Sequence, residues 1–195
     1  ISNYKLGGDC PGLFSHVRNA SISNLSVRPA TDASDNVAPN GCKVVGCMVG
    51  EAEGSCTFSG CTLLPGKYSC RLEFSESSIS LVFGGLVGKT TGSSTFSNCT
   101  NGGQMYLNGT NYFNTSDFTV AGGIVGFAEN KGDLNGVEHI IFERCRNNGS
   151  ISADDQSADD VVAGGIVGYV RDDGSSRADN YRSDSRQRSE WQVYR

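Results

Sequence analysis

The sequence predicts an all-β chain wound as a β-solenoid, and three observations carry that prediction. A glycine pentapeptide recurs as GCMVG at Gly46–Gly50, GGLVG at Gly84–Gly88, and GGIVG at Gly122–Gly126 and Gly164–Gly168, with first glycines 38, 38 and 42 residues apart. Self-similarity at a period of tens of residues marks an array of stacked units. Between the pentapeptides the apolar runs are short and bounded by Asn-Gly, Gly-Gly and Gly-Ser, which are strand and turn signals. No stretch keeps the i, i+3, i+4 apolar spacing of a helix. Runs this brief cannot bury a core singly, so stacking of like units has to close it. The expected architecture is about four repeats of 38–46 residues.

In chain order, residues 1–40 read as a degenerate first repeat or cap, with Gly7, Gly8, Cys10, Pro11 and Gly12 near its start. Leu13–Val27 (LFSHVRNASISNLSV) aligns with Ile141–Ser152 (IFERCRNNGSIS), matching Phe14 to Phe142 and Val17 to Cys145. Residues 41–170 hold the regular repeats. Each opens on the glycine pentapeptide as a strand, then takes a polar turn into a short strand through Phe-x-x-Cys, at 58/61, 96/99 and 142/145, with 14/17 as the Val variant. An Asn/Gly turn, another short strand such as GSIS, a polar loop and an apolar run (SLVF, FTVA, VVA) complete the unit. From the first glycine to the Phe is 12 residues in two units and 20 in the third, where AENKGDLNG reads as a corner insertion. Residues 171–195 lose the pattern, alternate Arg with Asp and end near Trp191, as a polar cap, linker or tail.

The Phe-x-x-Cys spacing poses a geometric problem. Three residues apart on a regular strand, the two side chains face opposite ways, so a bend or bulge must intervene if both are core. Stacked units would then carry one ladder of Phe and one of reduced, buried Cys61, Cys99 and Cys145, since a small buried Cys behaves as a hydrophobe. Asn98, inside the Phe-x-x-Cys strand, is expected to be inaccessible.

Composition excludes several functions. A net charge of −5 disfavours an electrostatic nucleic-acid binder. No apolar run approaches the roughly 18 residues that span a bilayer. Ile1 opens directly into polar sequence, so the numbering is expected to start at a mature or truncated end. Gly-Gly before aliphatics mimics a phosphate loop, but such a loop needs a following helix, and only Lys89 lies near. There is no Cys-x-x-Cys for a metal site. His16 and His139 stand in no catalytic spacing to a Cys. The pairs Asp154-Asp155, Asp159-Asp160 and Asp172-Asp173 follow no calcium-loop pattern and read as solvated loop faces. No catalytic residue, cofactor or metal is expected.

Eight cysteines and six Asn-x-Ser/Thr sequons suit an oxidising, exterior compartment. Cys10, Cys42, Cys47, Cys56 and Cys70 are the disulfide candidates, with at least one bridge expected within Cys42–Cys70 to staple a terminal unit. Asn108, Asn114, Asn148, Asn19 and Asn24 are the candidate glycan acceptors. Asn108 and Asn114 lead because they fall in a polar loop.

The repeated GGLVG and GGIVG, each followed by a polar turn and once by NNGSI (Asn147–Ile151), resemble the GLUG repeat over roughly residues 40–170. That repeat occurs in secreted and surface proteins, including adhesin-like proteins and non-catalytic parts of peptidases. The resemblance implies a β-solenoid on a cell exterior and brings no catalytic residue. This chain departs from the family in its longer units and in Phe-x-x-Cys.

The expectation is therefore an extracellular structural or adhesive repeat protein, a glycosylated subunit of a surface or filament assembly. It would associate with itself, with other surface proteins or with glycans, and contact neither nucleic acid nor the membrane interior. The alternative is a polysaccharide-binding or polysaccharide-cleaving solenoid. That alternative needs exposed aromatics and carboxylates on one face, for which Tyr106, Tyr112, Phe113 and Phe118 are the sequence's candidates.

Overall fold

The computed structural model describes residues 1–4, 6, 11–30, 37–38, 44–73, 81–110, 118–130, 139–155 and 160–172. Among them there is no helix, and every strand pairing is parallel. The chain runs through Ser2–Tyr4 (β1), Phe14–Arg18 (β2), Ser21–Ser23 (β3), Ser26–Pro29 (β4), Val37–Ala38 (β5) and Val44–Gly46 (β6). It continues through Val49–Glu53 (β7), Cys56–Ser59 (β8), Thr62–Leu63 (β9), Lys67–Glu73 (β10) and Leu81–Gly84 (β11). Next come Val87–Thr91 (β12), Ser94–Ser97 (β13), Thr100–Asn101 (β14), Gln104–Thr110 (β15) and Phe118–Gly122 (β16). Last are Val125–Asn130 (β17), Ile141–Glu143 (β18), Arg146–Asn147 (β19), Ile151–Asp155 (β20), Asp160–Gly164 (β21) and Val167–Asp172 (β22). From β7 onward each strand lies beside the strand five places before it, giving five parallel sheets. Each set of five strands forms a level on the one before, and β1 adds itself to β4 at the N-terminal end.

The period in the sequence becomes register in the sheets. Val49, Val87, Val125 and Val167 pair in succession. Phe58 pairs with Phe96, and Phe96 with Phe142. Their rings stack 4.8 and 4.9 Å apart, nearly coplanar in orientation at 3° and 8°. That distance is the spacing between neighbouring strands, so identical side chains at one register position must stack.

The first level corrects the alignment of Phe14 with Phe142. Phe14 pairs with Val49 and Val17 with Ala52, so both belong to the glycine-pentapeptide sheet, and Phe14 is 40% exposed. Ile22 is the residue beneath Phe58, and Leu25 lies one level below the cysteines, since its carbonyl accepts from Thr62 as that of Cys61 accepts from Thr100. Both pack on the core. The resemblance of FSHV to FERC is one of composition, and strand pairing overrides it. Gly12 takes the part of a pentapeptide glycine: a Cβ there would fall 2.7 Å from the Phe14 carbonyl oxygen and 3.0 Å from that of Gly46.

Phe and Cys both face inward, and the corner between them explains how. The residue before each Cys, or before Leu25, is left-handed: Asn24 (φ 53°), Gly60 (φ 63°), Asn98 (φ 53°) and Arg144 (φ 52°). One such residue turns the chain sharply, so the strand after it resumes with its inward face displaced by one. Gly and Asn enter this region at least cost. A second corner line holds Asn19 (φ 49°), Gly54 (φ 74°) and Gly92 (φ 93°).

The glycine pentapeptide marks the tightest corner. A Cβ on Gly84 would lie 1.7 Å from the Val87 carbonyl oxygen, and one on Gly88 would lie 2.6 Å from a methyl of Val44. The absent side chain of Gly88 makes room for a valine of the level below. Val44, Val82 and Val120 form a buried cluster of their own there, with Phe127 and Val162 against it. On the other side Val45, Phe83 and Ala121 join the main core. Residues 44–46, 82–84 and 120–122 are thus buried on both faces, which is why they read as continuous apolar runs.

Candidate functional site

The sequence-predicted glycan acceptors distribute over the two corner lines and the sheets. Asn19 and Asn24 are exposed at left-handed corners. The Asn19 side-chain carbonyl accepts from the Ser55 amide at 2.9 Å. Asn98 is exposed too, against the expectation that it is inaccessible; it is the corner residue, and its amide donates to the Glu143 carbonyl at 2.8 Å. Asn148 is exposed, its amide donating to the Asn101 carbonyl. Asn108 lies in strand β15 between Arg71 and Asp154, not in the expected loop. Its side chain and all of Asn114 fall outside the described residues.

Of the disulfide candidates, Cys10 and Cys42 lie outside the described residues, as does the side chain of Cys70, whose backbone pairs with Leu107. Cys47 is buried beneath the Tyr4 hydroxyl, which donates to its carbonyl. Cys56 is a buried, unbridged thiol directed at the Glu53 carbonyl, 3.3 Å away.

Cys61, Cys99 and Cys145 form a second interior ladder of unbridged thiols. Each Sγ reaches the carbonyl oxygen of the ladder residue one level down: Ile22 at 3.4 Å, Phe58 at 3.5 Å and Phe96 at 3.3 Å. Neighbouring thiols of the ladder also perturb one another's titration. The hydrogen bond with Cys99 and burial push Cys61 well above the ordinary thiol range. The hydrogen bond with Cys145 is the main cause that pushes Cys99 up to about 12. The same contact with Cys99 draws Cys145 down. Two of three thiols are therefore held protonated, and thiolates are the nucleophiles.

Another interior polar group is Asn101, fully buried. Its carbonyl accepts from the Gly103 amide at 2.8 Å and its Nδ2 donates to Asn147 Oδ1 at 2.9 Å. Thr90 donates to Ser94 at 2.8 Å, both buried. Buried polar groups satisfied within the stack fix its register.

The outward face of the sheet β2-β7-β12-β17-β22 carries a cluster that sequence reading missed. His16, Glu51, Lys89, Phe127 and Tyr169 share one register line. Lys89 Nζ lies 3.0 Å from Glu129 and 5.6 Å from the centre of the Phe127 ring. Phe127 and Tyr169 stack at 5.5 Å. Arg171 approaches Glu129 at 4.0 Å. At the other end Glu53 meets His16 at 3.5 Å and Arg18 at 3.7 Å, all exposed, where ion pairs contribute little. Phe127 and Tyr169 are 42 residues apart in sequence, so only the repeat register could have disclosed the pair. Of the sequence's aromatic candidates, Tyr106 is half-buried on β15, while Tyr112, Phe113 and the side chain of Phe118 fall outside the described residues.

Among the described residues no group of three or more His, Cys, Asp or Glu is placed to hold a metal ion. None forms a helix long and apolar enough to cross a membrane. No protein-family model, curated protein or solved structure matches the chain.

Proposed function

We propose that the chain is a β-solenoid of about four 38–46-residue repeats, similar to GLUG repeats, acting outside the cell as a structural or adhesive, non-catalytic glycoprotein. The observation that carries this reading is the run of register ladders. Phe58, Phe96 and Phe142, Cys61, Cys99 and Cys145, and the pentapeptide valines spend the chain's distinctive residues on stacking. A stack ends in strand edges, which template pairing with another strand. Among the described residues β18, β19, β20, β21 and β22 are the last strands of their sheets, and they suit self-association or a surface partner. Exposed Asn19, Asn24 and Asn148 sequons support glycosylation in an exterior compartment.

A polysaccharide groove is the competing reading, and the Phe127–Tyr169 pair bears on it. Sugars pack on open aromatic faces, whereas these rings stack on each other and Lys89 sits over Phe127. Both faces of Phe127 are used within the ladder, which favours the structural role. Native-source material examined by intact mass, glycopeptide analysis, sizing and electron microscopy tests the proposal. Glycosylated, associating protein is the expected result. A bare monomer that cleaves a polysaccharide overturns it.

A further inference from the structure

We propose that Asn98 is an N-linked glycan acceptor, and that Asn24 and Asn98 present their sugars from one corner line with Gly60 as the spacer between them. The inference rests on the exported-glycoprotein reading above and adds to it a modification site and its geometry. Asn98-Cys99-Thr100 is a sequon. Within the Phe-x-x-Cys strand it should be hidden, yet the left-handed corner turns its three residues in different directions. Cys99 points into the core. Asn98 stands exposed at the bend, and Thr100 lies on the outer face beside Thr62. The amide and the hydroxyl that a sequon needs are thus both outside, and the bulk of the middle residue is inside. Asn98 repeats the geometry of Asn24, with the same φ of 53° and the same amide bond to the level above.

The corner line also has room for two sugars. Asn24 and Asn98 are two levels apart, about 10 Å at the spacing of paired strands. The residue between them is Gly60. A Cβ there would lie 2.6 Å from Asn24 Oδ1, so the intervening level has no side chain to crowd the carboxamide. Asn19 lies on the other rim of the same short sheet, and its Oδ1 is held by the Ser55 amide, leaving Nδ2 as the free end. Three acceptors then flank one short sheet, Asn24 and Asn98 on one rim and Asn19 on the other. In the transfer, Asn98 Nδ2 bonds to the anomeric carbon of an oligosaccharide carried on a lipid diphosphate. The bond from that carbon to the diphosphate oxygen breaks, the diphosphate leaves with the electron pair, and the amide releases one proton to the transferase.

The test uses the full chain secreted from glycosylating eukaryotic cells. Peptide N-glycosidase in heavy-oxygen water converts each occupied Asn to a labelled Asp, read by peptide mass. Label at both Asn24 and Asn98 is expected, and Asn98 labelled with Asn24 bare overturns the paired presentation. Asn98→Gly, which supplies the backbone that Gly60 already adopts, should remove one glycan from the intact mass. Thr100→Val should remove the same glycan, and Thr100→Ser should retain it. Asn19 or Asn24 labelled with Asn98 bare in the parent chain overturns this inference and leaves the glycoprotein reading standing. All sequons bare overturns both.

Discussion

Among the described residues Phe96 is the one ring of its ladder with a stacked ring on each side, and it is fully buried. Truncating it removes two stacking contacts and opens a cavity, so Phe96→Ala should cost about 3–5 kcal/mol. Phe142 has one stacked neighbour among the described residues and a little exposure, so Phe142→Ala should cost less. Urea denaturation of both variants checks the order; equal losses would remove the stack from the explanation. Cys99 makes a pH prediction. Its folded pKa is pushed up to about 12, first by the hydrogen bond with Cys145, while an unfolded thiol titrates near ~8.5. The fold therefore favours the protonated form. The stabilisation is complete below about pH 8.5 and is lost progressively as pH rises toward 12. Cys99→Val should flatten the alkaline fall in thermal midpoint, because a valine has no proton to lose. An unchanged alkaline limb would show that another group governs it.

At the scale of single elements, the corners and turns decide stability. Gly84 ends β11 where a Cβ would lie 1.7 Å from a carbonyl oxygen. No side chain moves to relieve that contact, only backbone, so Gly84→Ala should cost at least the roughly 1–3 kcal/mol of core overpacking. A melting temperature matching the parent would exclude this account of the pentapeptide. The turn between β14 and β15 depends on Asn101, which binds Gly103 below it in sequence order and Asn147 on the next level. Asn101→Ala leaves the Gly103 amide without its partner, worth about 1–3 kcal/mol when buried, while the Asn147 side-chain oxygen keeps its bond from the Gly149 amide at 3.2 Å. The Asn101→Ala, Asn147→Ala double-mutant cycle should return a coupling of about 1 kcal/mol. Strict additivity would mean that the two asparagines act separately.

The described strands are asymmetric along the stacking direction. At the N-terminal end β1 adds a strand to β4, Leu6 is buried, and the Tyr4 hydroxyl reaches the Cys47 carbonyl. At the C-terminal end Val167 is half-buried where Val87 and Val125 are fully buried, and Val170 is 38% exposed where Ala128 is 0%. Local opening is easiest where apolar contact is least, and a stack propagates its stability from level to level. Hydrogen exchange should thus be slowest at the amides of Leu86, Val87, Ile124 and Val125, and fastest over β18 to β22. Uniform protection from end to end would show that the proposed stack unfolds as one unit. The Asn98 acceptor belongs to this scale too, since only the assembled stack aligns it with Asn24.

The sequence by itself determined the strand class, the period and the identity of the ladders. Glycines at 46, 84, 122 and 164 and Phe at 58, 96 and 142 are legible because a parallel stack forces equal residues into equal positions. Tertiary structure alone decided three further things. It decided which strand of the first level meets which ladder: FSHV imitates FERC, yet backbone pairing puts Ile22 beneath Phe58. It decided the face of Asn98, because one left-handed residue inverts the alternation that a regular strand would impose. It also brought Lys89, Glu129, Phe127 and Tyr169 together on one face. Periodicity reports how often a position returns, whereas the direction of a side chain depends on the corner before it, and a single φ angle sets that corner.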